Sequence, residues 1–485
     1  MSNNITLSNF INGKFEKSTS SKMLKINNPA TSEFLSNVPI SSSSEVNKTV
    51  SAAKNAFPNW RNTPAIERAR YLFRLKTLLD ENIENIAIVV TKEHGKTLVE
   101  ARGSVKRGIE NIEHACGITS LMMGESLEDV ATGIDTQTIR QPLGVFAAIA
   151  PYNFPAMVPF WFWPYAIASG NTFILKPSEQ VPLSQQIIFE LIDKIKFPKG
   201  VINMIHGGKE VVEALIDNDD IAGISFVGST PVAKLIYKKA ASKGKRVQAF
   251  GGAKNYAIIM PDADAEKSIN NIVDSAFGCA GQRCLAISQT IMVGEAYNKF
   301  AKNLIKKTSN LKLGNGLKSN VDLGPVISAK HKKRICYYID KALKEGANLL
   351  LDGRKINLDL LPNGHFIGPT IFNNVTPEMT IAKQEIFGPV LSICSVNNLD
   401  EAINLVHKSK FGNTCSIFTS NGYYARKFKH EIGISMIGIN VGVAAPMAFF
   451  AFGGTKESFF GDIKAHGSDS IKFFTDTKVV ISRWF

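Results

Sequence analysis

A cysteine surrounded by small residues is the side chain in this sequence best suited to nucleophilic chemistry. Cys284 lies in the stretch 277–286, where glycines and alanines leave space around the sulfur. The adjacent Arg283 favours the thiolate, which is the nucleophilic form of cysteine. An inert core thiol fits the same pattern, because most buried cysteines do not react. Cys279, five residues earlier, is more typical of a packing residue.

An asparagine in a turn bracketed by prolines is a second candidate. Asn153 lies between Pro151 and Pro155, directly after a strand-like run. A side-chain amide that is fixed in such a turn can donate a hydrogen bond to a developing oxyanion. A turn-forming asparagine without a chemical role is the alternative.

Two further strand ends carry polar side chains that suit a nucleotide. Lys176 and Glu179 follow the apolar run 172–175, and a carboxylate there can accept hydrogen bonds from both ribose hydroxyls and repel a 2′-phosphate, which favours NAD over NADP. Ser229 precedes a helix start with Pro231, and such a helix end can hold phosphate. A surface ion pair and an ordinary capped helix remain alternatives, because the GxGxxG fingerprint and the P-loop pattern are both missing from the sequence.

These candidates need a sheet whose strands end on the same side. Five short β-rich runs alternate with amphipathic helices, at 145–150, 172–176, 201–206, 223–227 and 246–250. Because parallel neighbours need crossover connections, this alternation predicts a parallel, doubly wound sheet and an α/β fold class.

The flanking regions differ from this central one. The stretch 42–125 has apolar residues at helical spacing and predicts helices, and a second α/β series follows the sheet to about residue 450. The last run, 470–485, is predicted to be a strand. Its apolar edge could be covered by a partner subunit.

The composition is that of a folded globular protein with a basic charge. The 485 residues are roughly three times the length of a ~150-residue domain, and 44% hydrophobic with 20% charged residues excludes a disordered, collagen-like or coiled-coil chain. The net charge of +14 favours anionic partners. The lysines are spread along the chain, however, so no nucleic-acid partner is expected, and the densest run, 330–334, is either a solvated helix face or an anion-binding patch.

Cysteine and histidine usage argues against disulfides and metals. Six cysteines are too sparse for a disulfide framework, and the sequence has no CxxC, no HExxH and no histidine cluster, so reduced thiols and no catalytic metal are expected. The first residues lack a secretory or organellar pattern, which makes the cytoplasm the expected location. The uncharged stretch 141–175 is long enough for a membrane span, but its five prolines divide it into short elements, so no membrane partner is expected.

A series of motifs in this order resembles the aldehyde dehydrogenase superfamily, over residues from about 11 to 485. The motifs are PYNFP at 151–155, GNT at 170–172, KPSE at 176–179, FVGST at 226–230, GQRC at 281–284 and EIFGPV at 385–390. Within the superfamily, GQRCLA at 281–286, GAKN at 252–255 and APMAFF at 445–450 are similar to the CoA-acylating methylmalonate-semialdehyde dehydrogenases.

The resemblance implies a domain division and an assembly. An aldehyde dehydrogenase-like fold would have a Rossmann-type NAD-binding domain (1–123 and 143–250), an α/β catalytic domain (251–448) and a small β oligomerisation element (124–142 and 467–485). A homo-oligomer, either a dimer or a tetramer, is expected.

The resemblance also assigns roles to residues. Cys284 would attack the aldehyde carbon, and the amide of Asn153 with the backbone N–H of Cys284 would hold the resulting oxyanion before hydride passes to NAD. The residues that match cofactor contacts, or would line the cofactor path, are Ala150, Tyr152, Lys176, Glu179, Gln180, Ser229, Gly251, Glu385 and Phe387. Of these, Gln180 stands where such enzymes often have arginine.

One departure from the family pattern bears on the product. Phe250 occupies the position at which hydrolytic relatives carry a glutamate that activates water, and phenylalanine cannot accept a proton. The acyl-enzyme should then persist until a better nucleophile arrives, and the thiol of coenzyme A needs less assistance because more of it ionises near neutral pH. CoA is therefore the expected co-substrate. The methylmalonate enzymes also usually lack the glutamate, though with residues other than phenylalanine in its place.

Two arginines match the positions that hold the substrate carboxylate in this subfamily. Arg107 and Arg283 would clamp that group, a task suited to a planar, forked donor. The expected substrates are therefore methylmalonate or malonate semialdehyde, oxidised to propionyl-CoA or acetyl-CoA with loss of CO₂. Two alternatives stay open: a hydrolytic aldehyde dehydrogenase in which another residue activates water, and a catalytically silent, RNA-associated protein.

Overall fold

In the computed structural model, which describes residues 6–355 and 362–485, the strands form sheets of eight, seven and three strands and two pairs. The strands are β1 Asn9–Ile11, β2 Lys14–Glu16, β3 Met23–Asn27, β4 Phe34–Pro39, β5 Ser126–Ala131, β6 Ile134–Pro142, β7 Val145–Ile149, β8 Thr172–Lys176, β9 Ile202–Met204, β10 Ile221–Val227, β11 Arg246–Phe250, β12 Asn255–Ile259, β13 Ile287–Val293, β14 Asn348–Leu351, β15 Thr370–Asn373, β16 Val390–Val396, β17 Phe411–Gly412, β18 Thr414–Phe418, β19 Met436–Ile439, β20 Thr455–Lys456, β21 Phe459–Phe460 and β22 Thr475–Arg483.

The helices precede, separate and follow these strands. They are α1 Ser43–Asn62, α2 Ala65–Glu81, α3 Ile83–His94, α4 Leu98–Cys116, α5 Ile118–Leu121, α6 Trp163–Ala168, α7 Leu183–Ile195, α8 Lys209–Asp217, α9 Thr230–Ala241, α10 Ala265–Phe277, α11 Ala296–Ser309, α12 Ala329–Lys344, α13 Thr380–Lys383, α14 Leu399–His407, α15 Gly422–Glu431 and α16 Gly467–Phe474. Short 3₁₀ helices lie at Val158–Trp161, Gly278–Gly281 and Gly353–Lys355.

The largest sheet contains the predicted parallel strands. Its order is β2-β1-β9-β8-β7-β10-β11-β21, and the five strands from β9 to β11 are parallel to one another. All five residues of β7 are buried, as expected for a strand with helices on both faces. Phe146 and Ala148 point into one core with α2, α4 and α6, whereas Val145 and Ala147 point into another with α1, α8 and α9. The predicted α/β fold is confirmed.

The second sheet forms the other half of the structure. Its order is β14-β15-β16-β13-β12-β18-β19, with only β14 antiparallel to its neighbour. Alternate residues of β12 again pack on opposite faces, Ala257 and Ile259 on one and Ile258 on the other. The loop between α10 and β13 carries Cys284, so this half supplies the predicted nucleophile.

The third sheet joins distant parts of the chain. β22 pairs antiparallel with β6 along nine residues, from Thr475 opposite Pro142 to Arg483 opposite Ile134. Val479 and Ile481 of β22 and Leu127 of β5 are exposed, at 59%, 70% and 64%. The small sheet therefore offers a surface of apolar side chains to solvent.

The prediction of a single strand over residues 470–485 is wrong for residues 470–474. Residues 470–474 belong to α16 rather than to a strand, and the terminal strand begins at Thr475. The consecutive side chains of Phe473 and Phe474 both pack on the ring of Phe146, at 5.7 Å and 4.9 Å. A strand would send neighbouring side chains to opposite faces, so burying both against one ring favours a helical turn.

The uncharged stretch 141–175 folds into several short elements. It includes the end of β6, all of β7, the 3₁₀ helix Val158–Trp161, α6 and most of β8. None of the helices within residues 6–355 and 362–485 has both the length and the apolar character needed to span a bilayer.

Candidate active site

The loop that carries Cys284 has an unusual backbone. Cys279, Ala280 and Gly281 have φ values of 51°, 53° and 69°, so three consecutive residues lie in the left-handed region. At Gly281 a β-carbon would come within 2.1 Å of the carbonyl oxygen of Gly388, which leaves no space for a side chain. This close approach brings the cysteine loop against the segment that contains Glu385 and Phe387.

Two asparagines fix the backbone of the predicted nucleophile. The amide nitrogens of Asn255 and Asn413 each donate to the carbonyl oxygen of Cys284 at 2.8 Å. Asn255 also donates to the carbonyl of Ala286 at 2.9 Å. With its carbonyl held from two sides, the loop presents the Cys284 thiol in a defined direction.

Asn153 lies against the same loop. Its amide nitrogen donates to the carbonyl of Gln282 at 3.0 Å, and the residue is 4% exposed. Its own carbonyl accepts a 2.6 Å hydrogen bond from the ammonium of Lys96, which lies 3.8 Å above the ring of Phe154. Burial lowers the pKa of Lys96. Sequence reasoning missed Lys96, because nothing in its local pattern relates it to a turn 57 residues away.

Burial dominates the electrostatics of the Cys284 thiol. It raises the pKa of Cys284 to about 12, and the negative charge of Glu385 acts in the same direction. The N–H groups of Cys284 and Leu285 and the charge of Arg283 lower the pKa, as expected from the sequence for Arg283, but they do not outweigh burial. In the cofactor-free protein the sulfur is therefore a protonated thiol at neutral pH.

This protonation state predicts the reactivity of the thiol. Alkylation of Cys284 by iodoacetamide in the cofactor-free protein should be slow at pH 7 and rise about tenfold per pH unit up to at least pH 9, because only the thiolate reacts. Mass spectrometry of the peptide that spans residue 284 measures the rate, and a Cys284→Ser variant gives the background. A rate that levels off below pH 8 would contradict the raised pKa.

All nine residues predicted to contact the cofactor line one cavity of about 730 Å³. It lies at the ends of β7, β8, β10 and β11, where a doubly wound sheet binds nucleotides. The Lys176 ammonium is 2.8 Å from the Glu179 carboxylate, and Gln180 follows them on the cavity wall. Ser229 directly precedes α9, and its side chain makes no capping hydrogen bond to the helix. Pro231 stands in the first turn, so the backbone N–H groups at the helix N-terminus are open toward the cavity. These donors, with the Glu179 carboxylate as an acceptor, fit a dinucleotide.

Glu385 and Phe387 lie at the opposite wall of this cavity. The Glu385 carboxylate accepts a hydrogen bond from the N–H of Ala253 at 2.8 Å, and burial raises its pKa to about 7. Phe387 has a φ of 61°, and its ring lies 5.9 Å from that of Tyr152. Ala150 and Gly251 line the cavity between these groups and the sheet.

Two residues of the basic run 330–334 hold this wall in place. Arg334 donates to the carbonyls of Ile386 at 2.6 Å and Glu385 at 2.7 Å. The ring nitrogen of His331 lies 2.6 Å from the carbonyl of Phe387. Both side chains line the cavity that contains the predicted cofactor residues, so this part of the run is not a wholly solvated face. The sequence pattern alone left a solvated face and an anion-binding patch as alternatives.

A second cavity, of about 280 Å³, meets the first at the nucleophile. Cys284 lines both cavities, and the second also has Arg107, Arg283 and Cys279 in its wall. The guanidinium of Arg283 contacts Glu100 at 3.1 Å and the sulfur of Cys279 at 3.3 Å. A small molecule in this cavity would therefore lie between the thiol and two cationic groups.

The two arginines are held by different partners. Arg107, on α4, donates to a carboxylate oxygen of Glu110 at 2.6 Å and to the carbonyl of Pro446 at 2.5 Å. Glu100, which pairs with Arg283, also accepts from the N–H of Thr97 in the capping box that begins α4. The start of α4 thus determines where the guanidinium of Arg283 lies.

Phe250 is buried among aromatic rings beside the second cavity. It is 4% exposed, and the rings of Phe459, Phe162, Phe452 and Trp161 lie 4.9 to 6.3 Å from its own. β21 pairs antiparallel with β11 at this point and places Phe459 opposite Phe250. The side chain lacks any group able to take a proton from water, and so do the three phenylalanine rings and the indole around it.

The described residues contain neither a grouped set of metal-ligating side chains nor a disulfide. Within residues 6–355 and 362–485, no three histidine, cysteine or acidic side chains are grouped so that they could hold a metal ion. All six cysteines are free thiols.

Comparison with known proteins agrees with this arrangement. Residues 15–480 match the profile of the Aldehyde dehydrogenase family. A malonate-semialdehyde dehydrogenase from Halalkalibacterium halodurans is 50% identical over 478 residues, 99% of this chain and 98% of the relative. Malonate-semialdehyde dehydrogenase 2 from Geobacillus kaustophilus is 50% identical over 479 residues, 99% of each chain.

Solved structures extend the likeness to three dimensions. The crystal structure of a methylmalonate-semialdehyde dehydrogenase from Oceanimonas doudoroffii superposes with a TM-score of 0.97 at 43% identity, covering 99% of this chain and 98% of the other. A NAD⁺ complex of an aldehyde dehydrogenase from Bacillus cereus superposes with a TM-score of 0.94 at 31% identity, covering 99% and 97%. With a family match along most of its length and relatives at 50% identity, this chain belongs to the aldehyde dehydrogenase family.

Proposed function

We propose that this chain is an NAD-dependent, CoA-acylating dehydrogenase that oxidises malonate or methylmalonate semialdehyde to acetyl-CoA or propionyl-CoA with loss of CO₂. One observation carries the proposal: a single thiol, Cys284, lies where a dinucleotide-sized cavity meets a small cavity lined by two arginines. The names of the relatives with 50% identity support the same substrate class.

The first half of the reaction uses the thiol and the asparagine. The Cys284 thiol first gives its proton to water, and the thiolate then attacks the aldehyde carbon, while the amide of Asn153 together with the backbone N–H of Cys284 stabilises the charge that develops on the oxygen. Lys96 holds the carbonyl of Asn153 and so orients the turn that carries this amide. When bound, NAD supplies the hydride acceptor. The enzyme is left with a thioester on Cys284.

The residues around the large cavity are proposed to bind the cofactor. Lys176, Glu179 and Gln180 would contact the adenosine side, and the N-terminus of α9 with Ser229 would face the phosphates. Glu385 and Phe387 would hold the nicotinamide ribose and ring, while Ala150, Tyr152 and Gly251 line the path between them.

The second half of the reaction is assigned to coenzyme A because of Phe250. At the position where hydrolytic relatives carry a glutamate, this chain places a ring packed against four other rings. Water near the thioester therefore has no carboxylate base at this position, and a thiol attacks the acyl carbon with much less assistance. Hydrolysis assisted by some other residue remains the competing assignment.

The arginines are proposed to select a carboxylated aldehyde. Arg107 and Arg283 line the small cavity with Cys284, and a guanidinium binds a carboxylate through paired charge-assisted hydrogen bonds. A carboxylate β to the acyl carbonyl can leave as CO₂, because the electrons left behind delocalise into the thioester.

A homo-oligomer and a cytoplasmic location complete the proposal. The sheet of β5, β6 and β22 exposes Leu127, Val479 and Ile481, which a second copy of the chain would cover as a dimer or tetramer. The six free cysteines suit a reducing compartment.

The test is a rapid-mixing experiment with and without CoA. Enzyme, NAD and methylmalonate semialdehyde should release about one NADH per active subunit in a burst and then turn over slowly, because the thioester accumulates. Adding CoA should restore rapid turnover and yield propionyl-CoA, detected by mass spectrometry. If NADH forms at the full steady-state rate without any thiol and the product is the free acid, the enzyme is hydrolytic.

A further inference from the structure

One oxygen of the Glu385 carboxylate has no partner in the wall of the large cavity. Glu385 lines this cavity together with Cys284. Its Oε1 accepts a hydrogen bond from the N–H of Ala253 at 2.8 Å, whereas its Oε2 accepts none from residues 6–355 and 362–485. Oε2 does not belong to the polar atoms of these residues that are sealed from solvent without a partner, so it is accessible. Such an oxygen can accept a proton or a hydrogen bond from a ligand.

A glycine shows on which side of the carboxylate this oxygen lies. A β-carbon on Gly252 would come within 2.5 Å of Oε2 of Glu385 and 3.1 Å of the hydroxyl oxygen of Thr230. That hydroxyl accepts a hydrogen bond from the N–H of Gly252 at 2.8 Å. Because Gly252 lines the large cavity and not the small one, Oε2 lies at the wall of the large cavity.

Two cationic side chains fix the backbone that carries the carboxylate. The buried ammonium of Lys254 donates to the carbonyl of Ile381 at 2.6 Å and to that of Gln384 at 3.4 Å. Arg334 donates to the carbonyl of Glu385 itself at 2.7 Å. Both side chains bind the backbone and leave the carboxylate oxygens free, so the carboxylate keeps its capacity to accept a proton.

The surroundings of Glu385 suit proton transfer near neutral pH. Burial raises its pKa to about 7, against the opposing effect of the positive charges of Arg334 and Lys254. Tyr152 also faces the carboxylate, and burial raises the pKa of its phenol, which stays neutral. The negative charge of Glu385 raises the pKa of the Cys284 thiol, which places the carboxylate within electrostatic range of the reacting sulfur.

The acidity of the carboxyl group matches a thiol better than water. A general base is effective when its pKa lies near the operating pH and not far below that of the group it deprotonates. An alkyl thiol has a pKa of about 8.5, whereas the pKa of water is far higher. A base at this wall therefore favours attack by a thiol that enters through the large cavity, while the acyl group occupies the small one.

We propose that Glu385 is the catalytic proton acceptor for the thiol of coenzyme A. The inference rests on the proposed function, since it concerns the second half of that reaction. The thiol gives its proton to Oε2, and its sulfur attacks the acyl carbon on Cys284. The bond between that carbon and the Cys284 sulfur then breaks, and Glu385 returns the proton to the released thiolate. During the first half the carboxylate would hold the nicotinamide ribose, so it is free for this task only after the reduced cofactor has left.

A cofactor-free acyl-enzyme tests this step separately from NAD binding. p-Nitrophenyl propionate at pH 9 should acylate Cys284 in the wild type and in Glu385→Gln, because removing the negative charge lowers the pKa of the thiol. Glutamine still accepts from the N–H of Ala253 but cannot take up a proton. After removal of the ester, propionyl transfer to CoA at pH 7.5 should be about 100-fold slower in the variant, the scale on which a positioned base acts. An unchanged rate would overturn the inference.

Two small thiols of different acidity distinguish a base from a residue that only shapes the wall. At pH 8, Glu385→Gln should slow transfer to 2-mercaptoethanol about 100-fold, because this thiol is mostly protonated. Transfer to 2,2,2-trifluoroethanethiol, which is largely ionised at that pH, should slow less than about fivefold. Equal losses with both thiols would refute the role of a base.

The pH dependence of transfer to CoA gives a third readout. In the wild type the rate should rise through about pH 7, where Glu385 loses its proton, and then level off. In Glu385→Gln it should instead rise about tenfold per pH unit up to about pH 8, following the thiolate fraction of CoA. The same profile in both proteins would contradict proton transfer to Glu385.

Glu378→Gln is the matched control. Glu378 lies on the same connection between β15 and β16 and lines neither cavity, so its replacement should leave all transfer rates unchanged. A similar loss in this variant would show a general effect of the connection and reject the inference. If transfer to 2-mercaptoethanol depends on Glu385 but CoA accepts no acyl group, the proton acceptor stands and CoA as the co-substrate fails.

Discussion

Replacing Cys284 with alanine is expected to abolish both the NADH burst and steady-state turnover. The rate constant should fall by at least about 10⁴-fold, the scale on which removal of a covalent nucleophile acts, because no thioester can form without the sulfur. The cavities on either side do not depend on the thiol. NAD binding, followed by the quenching of protein fluorescence, should therefore change little.

The control for this variant is a different cysteine of comparable exposure. Cys336 on α12 is also partly buried, and it lines neither the cofactor cavity nor the small cavity. Cys336→Ala should keep the burst and the CoA-dependent turnover. Mass spectrometry of wild-type protein with NAD and semialdehyde should find an acyl adduct on the peptide that contains residue 284. NADH formation at a normal rate by the Cys284→Ala protein would exclude the thioester mechanism.

Removing the guanidinium next to the nucleophile is expected to change which aldehydes react. In Arg283→Met, kcat/KM for methylmalonate semialdehyde should fall about 100- to 1,000-fold, as for the loss of one partner of a buried charge pair. Propanal has no carboxylate, so its kcat/KM should fall far less. Steady-state kinetics with both aldehydes, at saturating NAD and CoA, measures the difference.

Two companion variants make this result interpretable. Arg102 lies on the same helix as Arg107, pairs with Glu84 on the surface and does not line the small cavity, so Arg102→Met should leave both aldehydes unaffected. Arg283→Lys keeps the charge without the forked geometry and should recover part of the loss. Equal losses with both aldehydes in Arg283→Met would refute the clamp and indicate that the contact with Glu100 matters only for structure.

The predicted site residues that the structure brings to the two cavities share a local signal in the sequence. Cys284 lies in a glycine-rich loop, Asn153 lies between prolines, and the polar residues near Lys176 follow an apolar strand. Each such pattern indicates a residue type that could do chemistry and predicts that the residue lies at the end of a strand or in a loop. Parallel strands that end on one side then bring these places together, which is why the predicted cofactor residues share a single cavity.

The residues that the sequence did not reveal act through tertiary contacts alone. Lys96 reaches Asn153 from the end of α3, and Arg334 holds Glu385 from a helix that otherwise has the pattern of a solvated face. Such roles depend on which elements pack together, and the local spacing of residue types does not encode that.

The wrong prediction of a strand at 470–474 also arises because a local pattern does not show which elements pack together. Alternating apolar residues, Ile471 and Phe473, are typical of a strand, but the pattern cannot show that Phe474 is also buried. Only the position of Phe146 in the large sheet makes a helical turn the better packing solution.

The packing around Phe250 also restricts the routes by which this enzyme could change over evolutionary time. A single codon change that restored an acidic residue would insert its carboxylate among Phe162, Phe452, Phe459 and Trp161, of which only the indole N–H of Trp161 could donate a hydrogen bond to it. Several neighbours would have to change together before a water molecule could be accommodated and deprotonated there. The departure from glutamate is therefore difficult to reverse by one substitution, and under the proposed function descendants of this protein are expected to keep using an external thiol.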